Sequence, residues 1–294
     1  MKGFLNNRRV IMISSGLLIL LVLLAVAGPI ISPYRYDDTN HPSLLAPCAE
    51  HWFGTDINGR DVLTRTLYGA RISMLVGLVG ALVSLSVGVV YGIISGYCGG
   101  RIDALMMRFV DILYSLPRLI LVIFVIAVFD GYAKDFMADL GLAQWSSWSR
   151  LLLLFMCLGL VEWLTMARIV RGQVLSLRER QFVQAAHVLG QSNLRIMFRH
   201  LLPNLSGIIL VYLTLTIPSV ILEESFLSFL GLGVQDPQAS WGTLLSEGAK
   251  FINPIKISWW MLAGPGIFMA VTLLSLNFLG DALRDRFDPR FRKD

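Results

Sequence analysis

Charge is scarce in this chain. Only 15% of its 294 residues are Asp, Glu, Lys or Arg, and 55% are hydrophobic, whereas an ordinary soluble domain carries roughly 25% charged residues. That balance excludes a disordered chain and argues against a soluble enzyme. The apolar residues outnumber any core that about two soluble domains could enclose, so the excess must face lipid. Cysteine is also scarce. Cys48, Cys98 and Cys157 show neither Cys-x-x-Cys spacing nor an even-numbered framework, so they point to no metal site and no set of disulfides. His41, His51, His187 and His200 lack the i, i+4 spacing that sets two ligands on one helix face. No Gly-rich loop leads into Lys and Ser or Thr, so the chain has no usual cradle for a nucleotide phosphate. With no paired nucleophile and base, no catalytic residue is assigned.

Long apolar runs are what the sequence does have. A helix rising 1.5 Å per residue needs about 20 apolar residues to cross a hydrocarbon layer about 30 Å thick. Six stretches meet or approach that length: Val10–Ile31, Ile72–Ile94, Val110–Phe129, Leu151–Val170, Leu205–Leu222 and Trp259–Phe278. The second carries Gly77, Gly80, Gly88 and Gly92, which let neighbouring helices approach closely. Pro117 and Arg118 interrupt the third, and a proline inside a helix usually kinks it. Lys2, Arg8 and Arg9 before an apolar run ending Ala25-Val26-Ala27 also resemble a secretory signal. The run is too long for the 7 to 15 or so residues of a signal core, so an uncleaved first helix is expected.

Six spans put both termini on one side. With that side cytoplasmic, sixteen of the 25 basic residues fall in cytoplasmic pieces, six of them from the end of the fourth span to the start of the fifth: Arg168, Arg171, Arg178, Arg180, Arg195 and Arg199. The positive-inside rule therefore favours cytoplasmic termini. The net charge of +5 is read as a topology signal. No separate basic stripe with interleaved aromatics suggests a nucleic-acid partner.

The connection between the fourth and fifth spans is long for a compact bundle. Ser176 and Glu179 have capping-box spacing, which predicts a helix starting at Leu177. Phe182, Val183, Ala186 and Leu189 follow at helical spacing, and Gly190 supplies a left-handed stop. Ser192 then predicts a second helix that ends before Pro203. Physics alone leaves two readings open: an interfacial membrane helix, or a surface whose small residues, Ala185 and Ala186, allow another protein's groove to approach.

Gln184 to Gly190, QAAHVLG, followed by RHLLPN from Arg199, resembles the Glu-Ala-Ala loop of ABC-importer permeases, where a coupling helix docks on an ATP-binding subunit. The resemblance covers almost the whole chain. It includes HWFGTDINGRDVLTRTLYGAR from His51, MARIVRG from Met166, ESFLSFLGLG from Glu224, SWG from Ser240 and LNFLGDALRDRFDPR from Leu276. YDDT after the first span and LSEGA after SWG are similar to the C-type permease subunit of oligopeptide importers. Gln184 departs from the family's usual Glu. The resemblance implies ATPase-coupling contacts at Gln184, Ala185, Ala186 and Gly190.

Ionisable side chains within spans are costly and mark pathways or internal pairs. Glu162 is therefore a candidate to line the path and attract a peptide's amino group, with a polar pairing as the other reading. Glu223 and Glu224 close the fifth span, and ESFLSFLGLG is expected as a re-entrant or interfacial stretch, with Glu224 a second candidate pathway residue. Asp56, Arg60, Asp61 and Arg65 alternate in sign, which predicts local ion pairing on a solvated surface.

The fold expected is all-α: a polytopic helical membrane protein with six transmembrane helices and a type I ABC importer permease core. Its divisions are a cytoplasmic N-terminus over 1–9, a first helix over 10–31 and a periplasmic segment over 32–71. A five-helix core follows over 72–280, with the coupling loop at 171–204, and a cytoplasmic tail over 281–294. The resemblance implies an inner-membrane, non-catalytic subunit that makes half of an oligopeptide pathway with a second permease. An extracytoplasmic peptide-binding protein and two ATP-binding subunits complete the assembly. The chain itself takes no cofactor, and ATP and magnesium belong to the partner subunits. Dipeptide, glutathione and nickel importers share the motifs. The different-class alternative is a proton-coupled transporter using Glu162, which the lack of an internal repeat disfavours.

Overall fold

The computed structural model describes residues 2–141, 146–236, 238–253 and 256–287. Arg290, Arg292 and Lys293 of the expected tail lie outside them. The described residues form α1 (Lys2–Ile31), α2 (Val62–Cys98), α3 (Gly100–Ser115), α4 (Arg118–Asp139) and α5 (Ser146–Leu177). After them come α6 (Gln181–Val188), α7 (Asn193–Ile196), α8 (Leu202–Phe229), α9 (Trp241–Lys250) and α10 (Trp260–Phe287). A two-residue antiparallel ribbon, 252–253 with 256–257, joins α9 to α10. Five helical runs are long and apolar enough to cross a membrane, and α3 with α4 makes a sixth, bent by 87°. The bend follows from Pro117: Leu116, which precedes it, is forced into extended backbone (φ −82°, ψ 137°).

The helices overrun the apolar stretches that predict them. α2 starts ten residues before Ile72 because Asp61 caps it, accepting from the Thr64 amide at 2.7 Å. α5 continues through Ser176 and Leu177, so the expected capping box does not form; Val174 and Leu177 belong to a buried apolar cluster, and that burial outweighs a local capping signal. Nor does a helix end before Pro203. α7 passes through a π-helical turn, Met197–Leu201, into α8. Pro203 offers no N–H to the carbonyl four residues back, and a widened turn carries the helix past it. α8 also runs through Glu223 and Glu224 to Phe229, so ESFLSFLGLG begins as a continuation of α8 and not as a separate re-entrant segment.

α1 is tied to the rest by Arg71. Pro29 cannot donate to the Ala25 carbonyl one turn back. The Arg71 guanidinium does so instead, with Nε 2.6 Å from that oxygen and Nη2 on the carbonyl of Val26. The Ala-Val-Ala stretch that resembles a cleavage site is thus bonded to α2 through the Ala25 and Val26 carbonyls.

α2 is the central helix, packed on α5, α8, α1 and α10. Its glycines make the close approaches. A Cβ at Gly77 or Gly80 would meet Ile221 or Val220 of α8. One at Gly88 would lie 2.6 Å from Met166 Cβ, and one at Gly92 would lie 2.6 Å from the Ala167 carbonyl of α5. Backbone cannot yield to a side chain, so Gly92→Leu is expected to cost about 3 kcal/mol and to lower the thermal unfolding midpoint of the purified protein. Gly172→Leu on α5, where a Cβ meets nothing within 4 Å, is the control; equal midpoints for the two variants would show that the seam does not hold the helices. Outward faces of α1, α3 and α4 present Ile13, Ile19, Phe109, Phe124 and Phe136, the surface expected against lipid.

Candidate functional site

Three groups of residues stand out, one at each end of the bundle and one at mid-depth. At the first end, α6 lies across the ends of α2 and α5. Its inner face is apolar by sequence and buried in fact: Val183 and Ala186 join Val170, Val174, Ile196 and Leu201 in one cluster. Ala186 therefore points into the protein and not, as the small-residue argument expects, toward a partner. Gln184, Ala185 and Gly190 are exposed, and beside them Val188 is 87% and Leu189 78% exposed. The sequence places Leu189 on the apolar face with Val183 and Ala186 and does not single out Val188; the structure turns both Val188 and Leu189 outward.

The stop at Gly190 forms as expected. Its φ is +73°, its amide donates to the His187 carbonyl at 2.9 Å, and the Gln191 amide donates to the Ala186 carbonyl at 3.1 Å. This is a Schellman ending, which turns the chain sharply while satisfying the last carbonyls. Tyr97, on the last turn of α2, holds the element from beneath: its hydroxyl donates to Asn193 Oδ1 at 3.0 Å and lies 3.0 Å from His187 Nε2. Arg178 donates to the Gly96 carbonyl at 3.2 Å. Tyr97, Arg178, Gln184 and His187 line an open hollow of about 420 Å³.

At the opposite end, the alternating charges lie deep in the protein and not on a solvated surface. Arg65 is almost fully buried, with Nη1 2.6 Å from Asp56 Oδ2 and 2.5 Å from Glu247 Oε2, and Nη2 3.1 Å from Glu247 Oε1. Arg60 binds the same Asp56 oxygen at 2.7 Å and Asp236 at 3.1 Å. Burial opposes the charge on Arg60, but Asp56, with Glu247 and Asp236, more than offsets it and raises its pKa above the ordinary value. Asp61 joins His51 at 2.9 Å. The group fastens the segment before α2 to α9 and to the loop after α8. Partners at positions 236 and 247 are 176 and 182 residues away, so a local pattern could not reveal them.

At mid-depth, Glu162 of α5 accepts from Arg118 Nη1 at 2.8 Å, which is the pairing reading and not a free pathway carboxylate. Glu223 of α8 lies 3.8 Å from the same nitrogen. Glu224 points the other way. It is fully buried, accepts from Ser228 at 2.6 Å and Ser225 at 3.5 Å, and faces no open surface.

Residues 88–293 match the family of binding-protein-dependent transport system inner membrane components. The chain belongs to that family. Residues 4–47 match the N-terminal transmembrane domain of oligopeptide transport permease C. The oligopeptide transport system permease protein OppC of Escherichia coli is 45% identical over 294 residues, 99% of this chain and 90% of the relative. That of Haemophilus influenzae is 43% identical, covering 99% and 88%. The dipeptide transport system permease protein DppC of Bacillus subtilis is 42% identical over 292 residues, covering 98% and 84%. All three are named as transport permeases, in keeping with an all-helical membrane subunit.

Proposed function

We propose that this chain is a permease subunit of an ATP-driven peptide importer, oligopeptides being the favoured substrate. It makes half of the translocation path with a second permease and does no covalent chemistry itself. The full-length likeness to OppC and DppC relatives supports the substrate class. The observation that carries the coupling is the shape of α6: a buried inner face, a Schellman turn and an exposed apolar tip of Val188 and Leu189 flanked by Gln184 and Ala185. An exposed apolar tip on a braced helix favours association with another protein. The brace runs directly into α5 and, through the π turn, into α8, so a push on α6 is delivered to two membrane helices.

In this reading α6 is cytoplasmic, both termini are cytoplasmic, and two ATP-binding subunits, which hold ATP and magnesium, grip α6 and its counterpart. A binding protein delivers peptide at the opposite, periplasmic end. ATP can shift the two access states only through its different affinity for them. The test is reconstitution of this chain with the second permease, two ATPases and the binding protein in liposomes. ATP-dependent accumulation of a tripeptide, lost without the binding protein, is expected. Uptake driven by a proton gradient in the absence of ATP would overturn the reading in favour of a secondary transporter.

A further inference from the structure

The mid-depth charges do not balance. On α5, Arg168 and Arg171 each have one close acid: Arg168 donates to Asp111 at 2.7 Å and Arg171 to Asp103 at 2.5 Å. Arg118 has two. Its Nη1 is 2.8 Å from Glu162 and 3.8 Å from Glu223, so the short contact matches Glu162, while Glu223 has a distant share of the cation and lies against the Glu162 carboxyl. Glu223 Oε2 has no hydrogen-bond partner at all. Nη2 donates to Tyr114 Oη at 2.9 Å and to Thr165 Oγ1 at 3.4 Å. With one guanidinium and two carboxylates, the group has an excess of one negative charge when all three are ionised.

The group is also open on one side. The 87° bend between α3 and α4 puts Arg118 at the first turn of α4 with 38% of its side chain exposed, and Glu223 retains 19%. Charged groups exposed at this depth belong in a water-filled cavity or against a partner and not against hydrocarbon. A carboxylate withdrawn from water without a matching cation is costly, and a cation arriving from outside the chain would lower that cost.

We propose that Glu223, held beside the Arg118–Glu162 pair, is a site in the translocation path for the ammonium groups of the passing substrate, the amino terminus and lysine side chains of a peptide. The proposal rests on the peptide-importer reading. Glu162 is then a positioning residue: it fixes Arg118, which limits the negative charge the path presents, so that a cation is attracted without being trapped.

The test uses the complete reconstituted transporter and compares initial uptake rates of Ala-Lys-Ala and Ala-Glu-Ala, with the binding protein's affinity for each measured separately. Glu223→Gln is expected to lower the lysine-to-glutamate rate ratio about tenfold, the change that about 1.4 kcal/mol of lost attraction yields. Arg118→Gln uncovers two carboxylates and is expected to move the ratio the opposite way, so it carries the test even if Glu223→Gln fails to assemble. A ratio unmoved in both variants overturns the proposal. So does an equal fall for both peptides accompanied by loss of the second permease from the purified complex, which would assign Glu223 to a basic residue of that subunit. Absence of ATP-dependent peptide uptake by the unmodified transporter would instead sink the importer reading itself.

Discussion

Replacement of Arg65 by Met should unfasten the end of the bundle opposite α6. Arg65 is the hub of the buried charges there: one nitrogen serves Asp56 and Glu247 together, and the second closes a bidentate contact on Glu247. Removing it leaves two carboxylates and Arg60 facing one another with their geometry broken. Breaking a buried pair by deleting one partner costs about 3–5 kcal/mol, which for a chain of this size corresponds to a fall of about 10 °C in unfolding midpoint. Arg65→Lys keeps the charge, but its ammonium is a single point that cannot reproduce the fork on Glu247, so an intermediate loss is expected. Glu247→Gln, on a partly exposed residue, should cost less than either. Thermal unfolding of the purified protein checks the series, and an Arg65→Met variant as stable as the parent would show that these charges do not hold α9 in place.

The same residues show where sequence reading succeeds and where it stops. Apolar length finds the long helical runs because lipid imposes it residue by residue, although the helices overrun it and the expected third span, Val110–Phe129, is broken between α3 and α4. The bend at Pro117, the close approach at Gly88 and Gly92 and the stop at Gly190 are legible because each depends on a backbone property of one residue. What fails is whatever depends on a distant partner. Asp56, Arg60 and Arg65 read as a solvated charge run until Glu247 and Asp236 are known to lie against them. Ser176 and Glu179 have capping spacing, yet the burial of Val174 and Leu177 keeps that turn inside α5. Ala186 and Ala185 are alike in composition, and only the cluster around Val183 decides which of the two is turned inward. Glu223 and Glu224 are adjacent, and helical geometry sends one toward Arg118 and the other among serines, a distinction that no pattern of apolar residues foretells.

Leu189→Asp should separate docking from folding at the α6 end of the bundle. Leu189 is 78% exposed, so in the isolated permease an aspartate there disturbs no packing, and the unfolding midpoint should stay within about a degree of the parent's, as for an ordinary surface change. In the assembly proposed above, the same position meets the ATPase. There the variant loses the burial of a leucine, about 1.5–3 kcal/mol, and must also strip water from a carboxylate. Retention of ATPase subunits on affinity-purified permease is expected to fall about a hundredfold or more, and ATP-dependent uptake with it. Ala186→Arg gives the opposite signature: a large cation forced into the cluster of Val183 and Leu201 lowers the midpoint first and loses the ATPases as a consequence. Gly190→Val is intermediate. Nothing surrounds its Cβ, so the cost is only the left-handed backbone, about 1–2 kcal/mol, and it falls on the turn that sets the angle of the α6 tip. That variant should keep the ATPases in the complex while hydrolysis no longer tracks peptide uptake. Full ATPase retention by Leu189→Asp would move the grip away from this tip, leaving Gln184 and Ala185 as the surface to test.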